Sequence, residues 1–448
     1  MRYHKRIELE TRVLIFMEGN IKYDVVVIGA GSGGLTAAVG FAKAGRKVLL
    51  VEREHLGGEC THSGCVPSKA LLHIAKSYHA AKQIAGDSAR SKKYRDGALD
   101  YVRGKIGEIA ETETKEHFVS LGIDVVMGEA KFVSPCAMQV GKITYEFRKT
   151  VIASGSSPRL VKVPGLNEKD VLTNQNLFKL EKLPEKLLII GSGPIGMEMG
   201  QAFALLGTRV TIATVDERFA KLEDPKVAAV LEKKFTELGI KVLKDAHIAR
   251  VDNKLALFEI KRGGKIVGAE RSAYDQILIA VGRVPNLPAG LEEAKIEWNE
   301  QGILVDGQFR TSNKSIFAVG DVSSPLKFTH VSGDSARSVV VFVISRGFLR
   351  ANRKKAVPKV TYTLPEVAQA GLSFEEAKKK YGEREIIRLE VPYSESDRAV
   401  VESKTEGLVV VIAKRLSGKV LGANIIGERA GELISLFTLA IDEKISLW

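Results

Sequence analysis

The sequence has no long apolar run. None approaches the ~18–20 consecutive apolar residues that a membrane helix requires, and the apolar core of the basic N-terminus, Val13 to Met17, is too short for a signal peptide. We therefore expect no membrane association and a cytoplasmic location. Cysteine is also scarce, with three in 448 residues. In the cytoplasm, a reversible pair of thiols is more typical of catalysis than of structural support.

A recognisable nucleic-acid-binding module is also missing, although the net charge is +13. Lys and Arg are spread along the chain and form only short clusters, at 91–95, 350–355 and 378–380. We interpret this charge as a solvated surface that mildly steers anionic dinucleotides, and we expect no nucleic-acid partner. A chain of this length exceeds one hydrophobic core, which predicts about two to four domains.

Two of the cysteines, Cys60 and Cys65, are close enough in sequence to form a reversible disulfide. In a regular α-helix five residues rise about 7.5 Å, which exceeds the roughly 7 Å limit between bridgeable Cα atoms. Pairing therefore requires a break in the helix, and Gly64 and Pro67 mark one. We predict a helix from about Val66–Pro67, with Cys65 at its N-terminus, where the positive end of the helix stabilises a thiolate. Two buried or metal-binding thiols are the alternative.

A strand, a glycine-rich turn and a helix predict a dinucleotide site near the N-terminus. The apolar run 23–28 leads directly into Gly29, Gly31 and Gly34. These glycines permit, respectively, a tight turn, the approach of a pyrophosphate, and close packing of helix on strand. The next strand, 47–51, ends in Glu52, 23 residues after Gly29, where an acid binds the adenosine ribose.

The same pattern recurs 162 residues later, where strand 186–190 leads into Gly191, Gly193 and Gly196. Two copies indicate two dinucleotides that meet face to face, one held tightly and one exchangeable. The position equivalent to Glu52 is occupied by the uncharged Thr214.

The residues after this second site bear on nucleotide preference. Arg218 and Lys221 follow within reach of a 2′-phosphate, whereas Asp216 and Glu217 argue the other way. We predict a preference for NADPH, or use of both nucleotides.

The segment 57–69, Gly-Gly-Glu-Cys-Thr-His-Ser-Gly-Cys-Val-Pro-Ser-Lys, resembles the redox-active motif of the flavin-dependent pyridine nucleotide-disulfide oxidoreductases. This group includes dihydrolipoamide dehydrogenase, glutathione reductase and mercuric reductase. The resemblance implies FAD at the first glycine motif and NAD(P)H at the second. It also implies that Cys65 is the thiol beside the flavin and that Cys60 exchanges with substrate sulfur. Lys69 is then near flavin N5, with Glu198 as its partner carboxylate.

Further segments follow in the order of that family. One resembles the strand-plus-glycine link between the flavin and nicotinamide domains, another the exit from the nicotinamide domain, and a third the flavin motif whose terminal acid bonds the ribityl chain. The cofactor-binding residues implied by the glycine motifs and by these segments are Gly29, Gly31, Gly34, Glu52, Gly58, Ser154, Gly155 and Asp321 for FAD, and Gly191, Gly193, Gly196, Thr214, Arg218, Gly282 and Arg283 for the nicotinamide nucleotide.

We predict an α/β fold with two Rossmann-like dinucleotide-binding domains and a C-terminal α+β dimerisation domain, hence a homodimer. The expected domains are a discontinuous FAD-binding domain (22–158 and 287–354), an NAD(P)-binding domain (159–286), an interface domain (355–448) and a leader extension (1–21). Cys136 belongs to none of the motifs and is expected to be structural or to have no particular role.

The resemblance favours a dihydrolipoamide dehydrogenase-like enzyme acting on a small-molecule or lipoyl-type disulfide. A mercuric reductase-like enzyme acting on a metal ion is the second choice, because segments 327–331 and 362–366 resemble that branch. Against it, no vicinal cysteine pair is present, and His330 stands where mercuric reductase has a tyrosine. A low-molecular-weight thioredoxin reductase is disfavoured, because its cysteines lie within the nicotinamide domain.

A rival from another class is a flavin-binding redox sensor or interaction subunit without turnover. The resemblance also implies a His–Glu substrate base after the last helix, yet no histidine follows His330 in this sequence. We therefore expect slow turnover of dihydrolipoamide unless another group, with His62 and His330 the first candidates, serves as the base.

Overall fold

The structure is a computed structural model that describes residues 21–86, 88–350 and 356–448. Residues 1–20 of the predicted leader lie outside this range, and Ile21 already belongs to the first strand. The described helices are α1 Ser32–Lys43, α2 Gly58–His62, α3 Cys65–Ala85, α4 Ala89–Asp96, α5 Ala98–Ala110, α6 Lys115–Ser120, α7 Pro194–Leu205, α8 Pro225–Glu237, α9 Thr329–Ile344, α10 Phe374–Tyr381, α11 Asp397–Val401 and α12 Ala430–Asp442.

The described strands run through the whole chain, many of them two to five residues long. They are β1 Ile21–Ile28, β2 Val48–Glu52, β3 Ile123–Met127, β4 Ala130–Ser134, β5 Ala137–Val140, β6 Ile143–Ile152, β7 Ser156–Pro158, β8 Val171–Leu172, β9 Lys186–Ile190, β10 Arg209–Ala213, β11 Lys241–Leu243, β12 Ala246–Asp252, β13 Leu255–Arg262, β14 Lys265–Ala273, β15 Gln276–Ile279, β16 Arg283–Pro285, β17 Trp298–Asn299, β18 Gly302–Ile303, β19 Ile316–Ala318, β20 Lys359–Thr361, β21 Glu366–Gly371, β22 Ile386–Pro392, β23 Leu408–Lys414 and β24 Val420–Gly427.

The chain forms two compact units. The first contains the described parts of Met1–His62, Ile109–Ser157 and Val284–Asn352, and the second contains those of Ser63–Glu108, Pro158–Arg283 and Arg353–Trp448. Segment 63–108 groups with the second unit because α3 packs against α7. This grouping is coarser than the three predicted domains, whose boundaries remain a prediction.

The first unit is built on a sheet with the strand order β3-β2-β1-β6-β5-β4, with β19 also paired to β6. The pairs β1–β2, β1–β6, β2–β3 and β6–β19 are parallel. Val25, Val26 and Val27 are buried on both faces of the sheet, which explains the unbroken apolar run in β1. The parallel strands end at the same edge, where the turn after β1 lies.

The second unit repeats this design in a parallel sheet with the order β11-β10-β9-β15-β8. It also contains an antiparallel meander, β12-β13-β14, and a five-stranded antiparallel sheet, β20-β21-β24-β23-β22. Helix α12 packs on that last sheet through the buried residues Ala430, Ile434 and Ile441. The predicted fold class, with two parallel dinucleotide-type sheets and a C-terminal α+β region, is confirmed.

None of the helices in the described ranges is long and apolar enough to cross a membrane.

Candidate redox and dinucleotide-binding sites

The turn between β1 and α1 has the geometry of a pyrophosphate cradle. A Cβ on Gly29 would lie 2.5 Å from the Ala153 carbonyl oxygen, and one on Gly34 would lie 1.8 Å from the Gly29 carbonyl oxygen. Side chains are therefore excluded at both positions. A Cβ on Gly31 would instead meet nothing within 4 Å. This open space lies before the N-terminus of α1, where backbone N–H groups bind phosphate. The turn therefore fits a dinucleotide.

Glu52 lies beside this turn at the end of β2. Its Oε2 accepts a hydrogen bond from Ala30 N at 2.6 Å, and its Oε1 accepts one from Glu54 N at 2.8 Å. These bonds fix the carboxylate at the carboxyl edge of the parallel sheet, the edge at which such sheets bind ligands. Its predicted role toward the adenosine ribose remains a prediction.

Three more residues expected at FAD, Ser154, Gly155 and Asp321, are held by hydrogen bonds within the first unit. Ser154 Oγ donates to the Asn286 carbonyl at 2.6 Å, and Asn286 N donates to the Gly155 carbonyl at 3.0 Å. Ser156 Oγ donates to Asp321 Oδ2 at 2.6 Å. The link after β6 and the acid after β19 therefore lie together, although they are far apart in sequence.

The second glycine turn, between β9 and α7, repeats the construction of the first. A Cβ on Gly191 would lie 2.4 Å from the Ala280 carbonyl oxygen, and one on Gly196 would lie 2.1 Å from the Gly191 carbonyl oxygen. Gly193 again faces open space within 4 Å. This turn fits the phosphates of a second dinucleotide.

The residues considered for nucleotide preference form a local network. Lys221 Nζ pairs with Asp216 Oδ1 at 2.8 Å, and Asp216 N donates to Thr214 Oγ1 at 3.3 Å. Arg218 Nη2 donates to the carbonyls of Lys221 and Glu223, and the Nε of Arg218 is buried without a protein partner. The positive charge of Lys221 is thus partly balanced by Asp216.

Gly282 and Arg283 follow β15 in the second unit. The Gly282 carbonyl accepts a hydrogen bond from Arg159 N at 2.9 Å. Arg283 Nη1 donates to Asn174 Oδ1 at 3.4 Å, and Asn174 Nδ2 donates to the Ser63 carbonyl at 3.2 Å. Arg283 is therefore connected through Asn174 to the segment that joins the two cysteines.

The two cysteines occupy different helices, as a bridgeable pair requires. Cys60 lies within the short helix α2, and Cys65 is the first residue of the 21-residue helix α3. The break falls at Ser63 and Gly64, so α3 begins one residue before the predicted start. Cys65 is exposed at this N-terminus, and Cys60 is partly buried.

Cys60 is held against the first glycine turn and α9. Gly57 N donates to the Ala30 carbonyl at 3.0 Å, and a Cβ on Gly58 would lie 2.6 Å from the Gly31 Cα. The close approach of Gly58 to the turn explains why a side chain is excluded there. Thr329 Oγ1, in the first turn of α9, donates to Cys60 Sγ at 3.5 Å.

Lys69 lies one turn after Cys65 on α3 and is paired with Glu198 of α7. Its Nζ donates to Glu198 Oε2 at 2.7 Å, and Glu198 Oε1 accepts a hydrogen bond from Tyr362 N at 2.9 Å. Glu198 is 4% exposed. The Lys69 Nζ also lies 4.7 Å from the centre of the Tyr362 ring, a cation–π arrangement. The contact expected between Lys69 and Glu198 is therefore present.

The Tyr362 hydroxyl shares this environment with Cys65. Burial raises the pKa of Tyr362; the charge of Lys69 opposes this rise, and Glu366, Glu198 and Cys65 add to it. Tyr362 thus lies in the second unit where its pKa responds to the charges of Lys69 and Glu198.

No role was assigned to Thr329, Tyr362 or Asn286 from the sequence, although Thr329 and Tyr362 lie in the segments 327–331 and 362–366 that were identified there. Each contacts a partner more than 100 residues away, namely Cys60, Glu198 and Ser154. The signal available in the sequence was a polar or aromatic side chain within or next to a family-like segment.

Similarity to known proteins identifies the family of this chain. The family described as pyridine nucleotide-disulphide oxidoreductase matches residues 23–336, and its dimerisation domain matches residues 357–447. The chain is a member of this family. The resemblance stated from the cysteine and glycine motifs is thereby confirmed.

Two curated members of the family show which activities occur among its relatives. The mercuric reductase of Bacillus cereus is 34% identical over 448 residues, covering 97% of this chain and 69% of its own. The dihydrolipoyl dehydrogenase of Thermus scotoductus is 32% identical over 436 residues, covering 94% and 91%.

A solved member of the family matches in structure as well. The HOCl-induced flavoprotein disulfide reductase RclA of Escherichia coli has a TM-score of 0.82 and 27% identity, covering 95% of this chain and 94% of its own. RclA has also been solved as a Cu(II) complex.

These matches establish an enzyme of the FAD-dependent disulfide oxidoreductase class, whose members use FAD and NAD(P)H. The two glycine cradles fit these two dinucleotides, one in each unit. The roles of the individual site residues remain predictions.

Proposed function

We propose that this chain transfers two electrons between the nicotinamide nucleotide and a small-molecule or lipoyl-type dithiol/disulfide, through FAD and the Cys60–Cys65 pair, in the manner of a dihydrolipoamide dehydrogenase. The observation that carries the proposal is the start of α3. Cys65 is exposed at the N-terminus of that helix, and Lys69, one turn later, is paired with the buried Glu198.

Each thiol has a distinct part in the exchange with a disulfide substrate. The Cys60 thiolate attacks one substrate sulfur, forms a mixed disulfide and releases the first substrate thiolate, which takes up a proton. Cys65 then attacks the Cys60 sulfur, releases the second substrate thiolate and leaves a Cys60–Cys65 disulfide. Bound FAD and NAD(P)H supply the two electrons that return this disulfide to the dithiol.

Cys65 and Lys69 are suited to the flavin side of this sequence. A thiolate at the first position of α3 is stabilised by the helix N-terminus. The Lys69 ammonium is held in place by Glu198 and by the Tyr362 ring, so its charge has a fixed position. We assign Gly29, Gly31, Gly34, Glu52, Gly58, Ser154, Gly155 and Asp321 to FAD, and Gly191, Gly193, Gly196, Thr214, Arg218, Gly282 and Arg283 to the nicotinamide nucleotide.

A metal ion is the second candidate substrate. The mercuric reductase of Bacillus cereus and the Cu(II) complex of RclA favour it. Within the described ranges, no group of three or more His, Cys, Asp or Glu residues could hold a metal. An ion bound as substrate by the two thiols does not need such a group.

The proposal also covers the domain boundaries, the oligomeric state, the location and the nucleotide donor. We propose the predicted domain boundaries, a homodimer through the C-terminal domain, and a cytoplasmic location based on the reversible thiol pair. NADPH, or both nucleotides, is the proposed donor.

An acceptor screen tests the proposal. The FAD-loaded protein is assayed with NADH and with NADPH against lipoamide, glutathione disulfide, Hg²⁺ and Cu²⁺, and Cys60→Ser serves as the control. We expect lipoamide turnover that requires Cys60. Turnover with a metal ion alone would favour the second candidate. Flavin reduction without steady-state turnover of any acceptor would indicate the redox sensor.

A further inference from the structure

We infer that Thr329 is a positioning residue for the thiol of Cys60: its hydroxyl donates a hydrogen bond to the sulfur and stabilises the thiolate that exchanges with substrate. This inference deepens the proposed function and rests on it for the role of Cys60. The geometry behind it lies within the first unit. Thr329 Oγ1 is 3.5 Å from Cys60 Sγ, an ordinary distance for a hydrogen bond to sulfur.

The position of Thr329 in its helix adds to the effect of its hydroxyl. Thr329 is the first residue of α9, which has 16 residues. The positive end of the helix dipole therefore lies near the sulfur. A thiolate gains from both the hydroxyl donor and the helix terminus, whereas a neutral thiol gains little from either.

Both sides of this contact are held in place by hydrogen bonds to backbone carbonyl groups. Ser32 Oγ, at the start of α1, donates to the Thr329 carbonyl at 3.3 Å. On the other side, Gly57 N binds the Ala30 carbonyl, and His62 Nε2 lies 2.8 Å from the Leu56 carbonyl oxygen. The short helix α2, which carries Cys60, and the first turn of α9 are thus both tied to the elements around the first glycine cradle.

Several titratable groups lie on the elements that carry the contact or reach the loop next to it. Glu59 and His62 lie on α2 with Cys60, and His330 and Asp334 lie on α9 with Thr329. His330 stacks on Phe328, and Asp334 is paired with Arg337. From the loop before α6, Glu113 reaches the space beside Gly57 and Thr61. Substitution of Thr329 changes none of these charges, so its effect on the thiol can be separated from theirs.

Alkylation of Cys60 measures this effect independently of turnover. In the FAD-loaded Cys65→Ser protein, the tryptic peptide 54–69 contains Cys60 as its single cysteine, and peptide 132–142 contains the exposed Cys136. The rate of iodoacetamide labelling at each cysteine is followed by mass spectrometry from about pH 5 to pH 10. Cys136 serves as the reference thiol within the same molecule.

We expect Thr329→Val to move the inflection of the Cys60 profile upward by about one pH unit, because a donor to the thiolate is lost. Below the inflection, labelling should then slow about threefold. The thiolate fraction falls about tenfold, while the more basic thiolate is intrinsically about threefold more nucleophilic. Above both inflections Thr329→Val should label faster, so the two profiles cross.

Two further variants exclude a merely structural effect. Thr329→Ser keeps the hydroxyl and should restore the parent profile, whereas Thr329→Ala should behave like Thr329→Val. Retained FAD and an unchanged Cys136 rate show that each variant is folded. If Thr329→Val loses FAD, comparing the Cys60 profiles of Thr329→Ser and Thr329→Ala tests the inference instead. An unshifted inflection in the variants without the hydroxyl, or a Thr329→Ser profile that stays shifted, would overturn the inference. Absence of turnover in the acceptor screen would affect the proposed function alone.

Discussion

Cys60 and Cys65 have different surroundings, which supports different roles for two chemically identical side chains. Cys65 begins α3 and is exposed, with Lys69 and Tyr362 nearby in the same unit. Cys60 is partly buried and receives a hydrogen bond from Thr329. A helix terminus and a hydroxyl donor both favour a thiolate, so each sulfur has support for the charge that its proposed step requires.

The division of roles predicts opposite spectra for two serine variants. Anaerobic reduction of the FAD-loaded protein by two electrons should give a long-wavelength absorbance from a thiolate beside the flavin. Cys65→Ser should abolish this absorbance, because we assign Cys65 to the flavin side. Cys60→Ser should keep or strengthen it, because Cys65 then has no disulfide partner. Each variant is the control for the other, and the reverse result would exchange the two roles.

Contacts between individual residues could be predicted from the sequence where they follow a family pattern. Contacts that depend on the packing of distant elements could not. The pairing of Lys69 with Glu198 was expected from their positions, 129 residues apart, and is present at 2.7 Å. The contact of Thr329 with Cys60 spans 269 residues. No periodicity or charge pattern in the sequence connects these two residues, since the contact depends on how α9 and α2 pack.

The two glycine turns share the same backbone geometry. An alanine at the equivalent position of each turn should therefore impair binding of the dinucleotide assigned to that turn. Gly34→Ala places a methyl group against the Gly29 carbonyl, and Gly196→Ala does the same against the Gly191 carbonyl, with calculated approaches of 1.8 Å and 2.1 Å. We expect Gly34→Ala to be purified with little FAD. Gly196→Ala should retain FAD, while NAD(P)H reduces its flavin at least about tenfold less efficiently, a loss of ~1.4 kcal/mol or more.

FAD content by absorbance and stopped-flow flavin reduction check this prediction. Gly107→Ala is the matched control, because this glycine lies in α5, its added Cβ meets nothing within 4 Å, and its φ is not positive. It should leave both measurements unchanged and stabilise the helix by about 0.5–1 kcal/mol. FAD loss in Gly196→Ala, or full FAD in Gly34→Ala, would contradict the assignment of the two turns.

An ion pair joins α8 to the C-terminal sheet within the second unit. Asp224 caps the N-terminus of α8 and receives two hydrogen bonds from Arg388 of β22, one of them at 3.0 Å. Its side chain is 9% exposed. Burial raises the pKa of Asp224, but the hydrogen bonds from Arg388 and from Lys226 N outweigh burial, so the pKa lies below its ordinary 3.8. The folded state therefore favours the ionised carboxylate.

This pair predicts a pH-dependent loss of stability in Arg388→Met. Removing one partner of a largely buried pair should lower the free energy of unfolding by about 3 kcal/mol near pH 7. Because the folded pKa is depressed, the contribution of Asp224 is fully present above 3.8 and is lost as the pH falls through the folded pKa. The difference between parent and variant should thus be constant from about pH 7 to pH 5 and shrink below about pH 4.

Urea denaturation at each pH measures this difference. Arg398→Met is the control, since the Arg398 side chain is 72% exposed and pairs with Glu402 four residues away. Its loss should cost about 0.5 kcal/mol or less. A difference for Arg388→Met that stays constant below pH 4 would show that the stabilisation does not come from the ionised Asp224.

The elements beside the glycine turns could be predicted because their sequence patterns are local. The apolar runs 23–28, 47–51 and 186–190 correspond to β1, β2 and β9. The polar, Lys-rich stretch from 77 to 121 is harder to divide from its sequence, and the structure divides it among α3, α4, α5 and α6. Those breaks lie near Gly86, at Gly97 and before Thr114, in polar sequence without a contrast in hydropathy.

The assembly of the whole molecule depends on a helix of the C-terminal domain, α12, which is apolar on two sides. Ala430, Ile434 and Ile441 of α12 are buried against the sheet. Leu433, Leu436 and Leu439 of the same helix are 37%, 67% and 55% exposed. A helix that is apolar beyond the face it buries within its own unit is typical of an interface. Residues 357–447 match the dimerisation domain, and we therefore predict that a second copy of this chain covers this face of α12.

A charge placed on this helix should therefore separate the dimer. We expect the parent protein to have twice the mass of one chain in light scattering, and Leu436→Glu to have the mass of one chain, because an unpaired carboxylate would be buried at the interface. Ile266→Glu is the matched control, since Ile266 on β14 is 59% exposed and lies in the meander of the second unit. This variant should remain dimeric and retain its FAD. A dimeric Leu436→Glu protein would show that the interface lies elsewhere, whereas a monomeric parent would contradict the proposed homodimer itself.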